Sequence, residues 1–377
     1  MDEPLVDRIL GKIDGGHPGP LVIVLAGMHG NEPAGIPAVQ RVLGHLGEHR
    51  IPVRGRLLAL SGNRSALLAG ERFLKRDLNR MWDRESVERV RAQDPGKDQP
   101  EDREQRELLE ILEFEMSLAE GPVVLLDLHS TSAPGCPFAV LGDTPAARQL
   151  KASLPIPGLL GLEERLDSPL LSWLADQGHT SIVVEGGQNE SPSTVDHHEA
   201  ATWLVLAGCG AIDQDATSRV LESWELLRGI SAGKPGMVEV LEGHPLEPDD
   251  GFVMRPGFEN FAPVQTGDAL AEDHSGTIRA SLSGHVLMPL YQGQGEDGFF
   301  LGRELPRWRL VLSAWLARSG NWKLAASLPG VEAHPHDPNA LLVTETLGEF
   351  VQSWVRLCGY RRWRLDSEGR VVIIRRP

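Results

Sequence analysis

Cysteine is scarce in this chain: Cys136, Cys209 and Cys358 are the three among 377 residues. An odd set with no short-range pair offers neither a disulfide framework nor a thiolate zinc cluster, and points to a reducing compartment. Basic charge is also short. Lys and Arg number 37 against 53 Asp and Glu, a formal net charge of −16 at pH 7, whereas binding nucleic-acid phosphates needs a basic surface. Long apolar runs are missing too; none approaches the ~18 residues of a membrane span. The opening MDEPLVDRIL places acidic residues where a secretory signal has basic ones. The expectation is a soluble cytoplasmic protein with no nucleic-acid and no membrane partner, for which a homo-oligomer stays open.

The length corresponds to about 2.5 typical domains. Apolar runs at 21–26, 56–60, 122–128, 137–141 and 181–184 do not alternate with polar residues, as expected of strands buried on both faces. Helical spacing occupies 33–46, 103–119, 168–177 and 197–211, with Ser168 and Pro169 as cap and first-turn proline of the third. Strands separated by helices predict an α/β domain over 1–230, with a mostly parallel or mixed central sheet and helices on both faces. The charge-rich stretch 83–106 reads as an exposed excursion. From 231 to 306 short β-like pieces broken by glycine and proline predict a small β domain. Residues 307–377 predict a short α+β tail with two helices and a closing strand pair, whose turn contains Glu368 and Gly369.

The chemistry sits at strand ends. Gly27-Met28-His29-Gly30-Asn31-Glu32-Pro33 follows the first run directly, where open α/β sheets build their sites. Asp127-Leu128-His129 ends another run, and strand alternation puts Asp127 on the same side as His129, as a carboxylate able to orient the imidazole. If these ends meet, His29, Glu32 and His129 form a two-His, one-carboxylate set with an open fourth position, the catalytic zinc arrangement. Manganese and cobalt stay open. Glu185, ending the strand Ile182–Val184 before two glycines, fits the acid and base that a metal-dependent hydrolysis needs. The segment Arg72–Arg80 is dense in guanidinium groups within an acidic chain, which suggests an anionic substrate.

GMHGNE, ERFLKRDLNR, DLHST and VVEGG, in this order, resemble the succinylglutamate desuccinylase and aspartoacylase family, a branch of the zinc carboxypeptidase superfamily. The resemblance covers roughly residues 20–300. It implies the zinc-carboxypeptidase-like fold, one Zn2+ per chain, and hydrolysis of the amide of a small anionic N-acyl amino acid. Position by position, it implies zinc ligands at His29, Glu32 and His129, and the acid/base at Glu185. Arg72 would hold the oxyanion, and Asn79 and Arg80 the substrate α-carboxylate. Tyr291, in the β domain, is a further candidate substrate contact. One departure stands out. Aspartoacylase-type members carry an arginine in the helix before the catalytic glutamate that reads an acidic side chain, and Leu170–Gln177 has none; Arg165 is the nearest upstream.

A metallocarboxypeptidase acting on short peptides and a non-catalytic ligand-binding relative are the alternatives. Lys75 and Arg76 read as solvated charges, His197 and His198 as exposed cap residues opening a helix, and Trp308, Trp315 and Trp322 as core anchors of the tail. Gly293–Gly298 satisfies the Gly-x-Gly-x-x-Gly dinucleotide pattern, but its two acidic residues and the strand-like sequence after it indicate a turn.

Overall fold

The computed structural model describes residues 6–375 apart from 143, 167, 248, 345, 367 and 368. The opening residues 1–5 and Glu368 of the expected closing turn lie outside the described residues. The strands leading to the site are β1 (Ile9–Asp14), β2 (Leu21–Ala26), β3 (Arg56–Ser61), β4 (Val123–Thr131), β5 (Phe138–Leu141), β6 (Gly158–Leu160), β7 (Thr180–Gln188) and β8 (Met237–Pro245). Between them run α1 (Gly35–Glu48), α2 (Arg64–Ala69), α3 (Arg84–Ala92), α4 (Pro100–Ser117), α5 (Pro145–Lys151), α6 (Leu170–Asp176), α7 (Ser193–Gly208) and α8 (Ser218–Ile230).

One mixed sheet runs in the order β1-β3-β2-β4-β7-β5-β6-β8 and continues into the strands Asp297–Glu304, Gly284–Leu287 and Ala262–Val264. Strands β3, β2, β4 and β7 are mutually parallel, while β5 runs antiparallel to β7. Alternation along β2 explains the two layers of core. Val22, Val24 and Ala26 pack under α1, α7 and α8 on one face, whereas Leu21, Ile23 and Leu25 pack with α4 and α6 on the other. Every residue of β2 is buried, and full burial stabilises each Val, Leu or Ile side chain by about 1.5–3 kcal/mol.

The boundary expected at residue 231 is bridged by this sheet: β8 pairs in parallel with β6, Gly158 opposite Met237. A three-stranded sheet of Val253–Met254, Ala269–Asp273 and Gly276–Arg279 completes the β-rich part. The tail forms a four-stranded antiparallel sheet with the helices Arg307–Ser319 and Glu349–Leu357. Among the described residues, no helix is long and apolar enough to cross a membrane.

Several local expectations are corrected. The stretch 83–106 is exposed over much of 84–99, as expected, but it folds into α3 and the start of α4, where Glu101, Asp102, Glu104 and Gln105 are buried, Glu101 accepting from Leu74 N and Glu104 from Ser65. Ser168 does not cap α6. It takes φ +46, and Asn79 Oδ1 instead accepts from Leu170 N at 3.1 Å. Trp308 and Trp315 are 62% and 55% exposed, so only Trp322 of that trio anchors the tail core, beside Tyr360.

Candidate metal centre and cleft

β2 and β4 are adjacent and parallel, so the loop leaving β2 and the end of β4 meet at one sheet edge. His29 and Glu32 come from that loop. Gly30 lets it fold tightly, since a Cβ there would lie 2.1 Å from the carbonyl of Ala66. Glu32 bridges the two imidazoles: His29 Nδ1 is 2.9 Å from Oε1 and His129 Nδ1 is 3.1 Å from Oε2. One donor atom from each of the three residues lies within 4.8 Å of the others, and all three residues are buried. Zinc–nitrogen bonds of about 2.0–2.1 Å need donors only a few ångströms apart, and these donors fit a single ion.

Each imidazole is held from behind. His29 Nε2 is 3.0 Å from Asp77 Oδ1, and His129 Nε2 is 3.1 Å from Asp127 Oδ2. A carboxylate behind each histidine orients the ring, leaving Nδ1 toward Glu32, and would raise its basicity as a metal ligand. Asp77 does more. Its second oxygen accepts from Arg72 Nη2 at 2.9 Å, and its first caps the turn Leu78–Arg80 through Asn79 N at 2.8 Å. Arg72 Nη1 reaches Glu32 at 3.1 Å. Motif-based reading missed Asp77, although it opens the DLNR of ERFLKRDLNR, two residues before Asn79.

Charges here are set by neighbours working against burial. Burial alone would raise the Glu32 carboxyl, yet His29 and His129 hold it well below the usual range. Asp77 is likewise held well below by His29 and Arg72 against the push of burial. Burial would lower His129, but Asp127 and Glu32 lift it well above the ordinary histidine value. Glu185 lies beside His129 in the β4–β7 register. Burial, with Glu32 and Asp127 adding repulsion, pushes its carboxyl up to about 8, against the pull of His129 and Arg72.

The cluster opens into a cleft of about 880 Å³, mouth included, lined also by Arg72, Asn79, Arg80 and Glu185. The expected site residues therefore share one cleft, with two exceptions. Asp127 sits wholly buried behind His129. Tyr291, the expected substrate contact, lies outside the lining: its hydroxyl donates to Arg255 O at 2.8 Å and accepts from Phe258 N at 3.1 Å, while its neighbours Leu290 and Gln292 line the cleft. Arg165 also points elsewhere, to the Leu241 carbonyl.

The loop dismissed as a turn takes part. Glu296 Oε2 is 3.3 Å from Arg80 Nε, and Gln294 Oε1 accepts from Arg72 N at 3.1 Å. His197 and His198 are not exposed caps, because α7 starts earlier, at Ser193. His198 is fully buried and sits against the glycine after Glu185; a Cβ on Gly186 would lie 2.4 Å from its ring. Glu101 accepts from Leu74 N at 2.7 Å and Lys75 N at 3.3 Å, tethering the arginine-rich loop. Lys75 and Arg76 are exposed, as expected, although Arg76 pairs with Asp102.

Residues 18–194 match the succinylglutamate desuccinylase/aspartoacylase catalytic domain. Succinylglutamate desuccinylases of Yersinia enterocolitica and Pseudomonas putida are 43% identical over 61 residues, 16% of this chain and 18% of theirs. The fold is shared with a succinylglutamate desuccinylase/aspartoacylase from Rhodobacter sphaeroides (TM-score 0.56, 20% identity, 77% of this chain and 87% of that one). It is shared also with the product-bound ectoine utilization protein EutE (DoeB) from Ruegeria pomeroyi (TM-score 0.55, 19% identity, 78% and 87%). Motif order and donor geometry agree with the catalytic-domain match, and residues 18–194 form a domain of the succinylglutamate desuccinylase/aspartoacylase catalytic type.

Proposed function

We propose that the protein is a zinc-dependent amidohydrolase that cleaves an N-acyl amino acid, with His29, Glu32 and His129 holding one ion. The observation that carries this reading is a pair of unsatisfied buried atoms beside the donor cluster. Arg72 Nε and Glu185 Oε2 have no hydrogen-bond partner among the described residues, and both side chains line the cleft. Buried polar atoms without partners are costly, so a donor and an acceptor left open together suit a bound substrate.

When bound, zinc would supply Lewis acidity, polarising a carbonyl and acidifying water. The remaining work falls to side chains. Glu185, whose Oε2 is unpartnered in the cleft, can take a proton from the attacking water and deliver it to the departing nitrogen as the C–N bond breaks. Arg72 has two guanidinium nitrogens fixed on Glu32 and Asp77, leaving Nε–H for the negative charge that develops on the acyl oxygen. Arg80 pairs with the substrate α-carboxylate. Asn79 assists through its amide nitrogen, because its oxygen already caps α6.

Elemental analysis of the purified protein, together with assays on N-acyl amino acids and dipeptides, tests the reading. One zinc per chain and hydrolysis of N-acyl amino acids is the expected result. Stoichiometric manganese or cobalt would correct the metal. Cleavage of dipeptides alone would make it a carboxypeptidase, and tight binding without hydrolysis would make it a binding protein.

A further inference from the structure

We infer that the amino-acid side chain of the substrate is apolar, in contrast to the aspartyl or glutamyl side chains that the family names suggest. The inference rests on the reading of the cleft as an N-acyl amino acid site. Beyond the metal cluster and the two arginines, one wall is built from Val140 of β5, Leu162, Leu166, Leu171 of α6, Val183 of β7 and Phe300. These are not scattered contacts. All six pack within one apolar cluster, and all but Leu166 are buried.

The position of this wall identifies what it meets. Asn79 and Arg80 adjoin α6, since Asn79 Oδ1 accepts from Leu170 N at 3.1 Å, and Leu171 follows Leu170. A substrate whose α-carboxylate is held by that pair therefore presents the group on the same carbon to the α6 side of the cleft. Apolar wall on that side suits an aliphatic or aromatic group.

Charge points the same way. Arg72 and Arg80 are the arginines of the lining, against Glu32, Glu163, Glu185, Glu296 and Asp297. Arg72 is held by Glu32 and Asp77. Arg80, paired with Glu296 at 3.3 Å and Asp297 at 4.0 Å, can exchange that pairing for one substrate carboxylate. A second substrate carboxylate would lose its water among aliphatic carbons and acidic neighbours, with no further arginine or lysine among the described lining residues to receive it.

The test measures binding apart from turnover. N-acetylleucine, N-acetylphenylalanine, N-acetylaspartate and N-hexanoylaspartate are titrated calorimetrically into zinc-loaded Glu185→Gln protein. The leucine and phenylalanine derivatives should bind at least about tenfold more tightly than N-acetylaspartate, since one methylene in an apolar pocket discriminates by about 10–200-fold. Equal or tighter binding of N-acetylaspartate overturns the inference, as does binding of none of them. Preference for N-hexanoylaspartate over N-acetylleucine overturns it as well, because it would place the acyl chain against the wall. Wild-type hydrolysis is measured separately: its complete absence removes the proposed activity while the binding order still decides the side chain. Leu171→Arg should raise kcat/KM for N-acetylaspartate relative to N-acetylleucine by more than about tenfold. Should that variant not fold, Leu166→Arg at the half-exposed rim carries the same expectation, and an unchanged ratio in the folded variant refutes the assignment.

Discussion

His198 Nε2 lies 2.7 Å from the backbone carbonyl oxygen of His129. A carbonyl only accepts, so this nitrogen carries the hydrogen, and burial disfavours the charged form of the ring. The bond ties α7 to the end of β4, where His129 meets His29 and Glu32.

Replacing His198 by leucine leaves that carbonyl without its partner and should cost about 1–3 kcal/mol of stability, read from denaturant unfolding. Burial lowers the His198 pKa to about 4. Unfolded histidine titrates near ~6.5, so below that pH the unfolded chain binds a proton that the native state refuses until about pH 4. Native stability should therefore fall with decreasing pH across this window, at up to ~1.4 kcal/mol per pH unit from this group. His198→Leu should flatten that acid limb, and an unchanged slope would show that the ring titrates freely.

Glu185→Gln should retain stoichiometric metal while kcat falls by about 10²–10⁴-fold, the usual contribution of a positioned acid or base. His29→Ala should lose metal and activity together. Metal loss in Glu185→Gln would instead make that carboxylate a ligand.

Asp77→Asn should weaken metal affinity by about 10–100-fold in a chelator competition, the range for partners behind a ligating histidine. It should also lower kcat, because Arg72 loses one of its two carboxylate anchors. Asp127→Asn, which touches His129 and not Arg72, should weaken metal binding with a smaller effect on the zinc-saturated rate. Equal kinetic effects from both would sever the proposed link from Asp77 to Arg72.

Burial raises Cys136, Cys209 and Cys358 to about 11 each. Thiolate is the reactive species, and at pH 8 roughly one part in 10³ is ionised. A thiol reagent at that pH should label the native protein slowly and the denatured protein rapidly at all three positions. Fast native labelling of Cys136 would mean that its apolar surroundings open.

Much of the architecture is legible locally. Unbroken apolar runs can be strands only if both faces are covered, and β2, β3, β4, β5 and β7 lie where those runs fall. Other elements left weaker marks. Strand β6 has three residues, and α3 is so charged that it reads as solvent-exposed coil until α4 packs beside it. Helix α7 begins at Ser193, ahead of the histidines that its spacing suggested as the start, and this shift of one turn puts His198 inside.

Linear order by itself determined which residue types stand at which strand ends: the His29–Glu32 pair after β2, Asp127 and His129 on one side of β4, and Glu185 closing β7. Those follow from chain-local periodicity, since a strand's side chains alternate whatever surrounds it. Tertiary structure alone decided that Asp77 stands behind His29, that Glu101 holds the arginine loop, that Tyr291 turns away, and that β5, α6, β7 and Phe300 share one apolar wall. Each of those is a contact between segments distant in sequence, chosen by packing and by the need to satisfy buried polar groups, and no local pattern encodes such a choice.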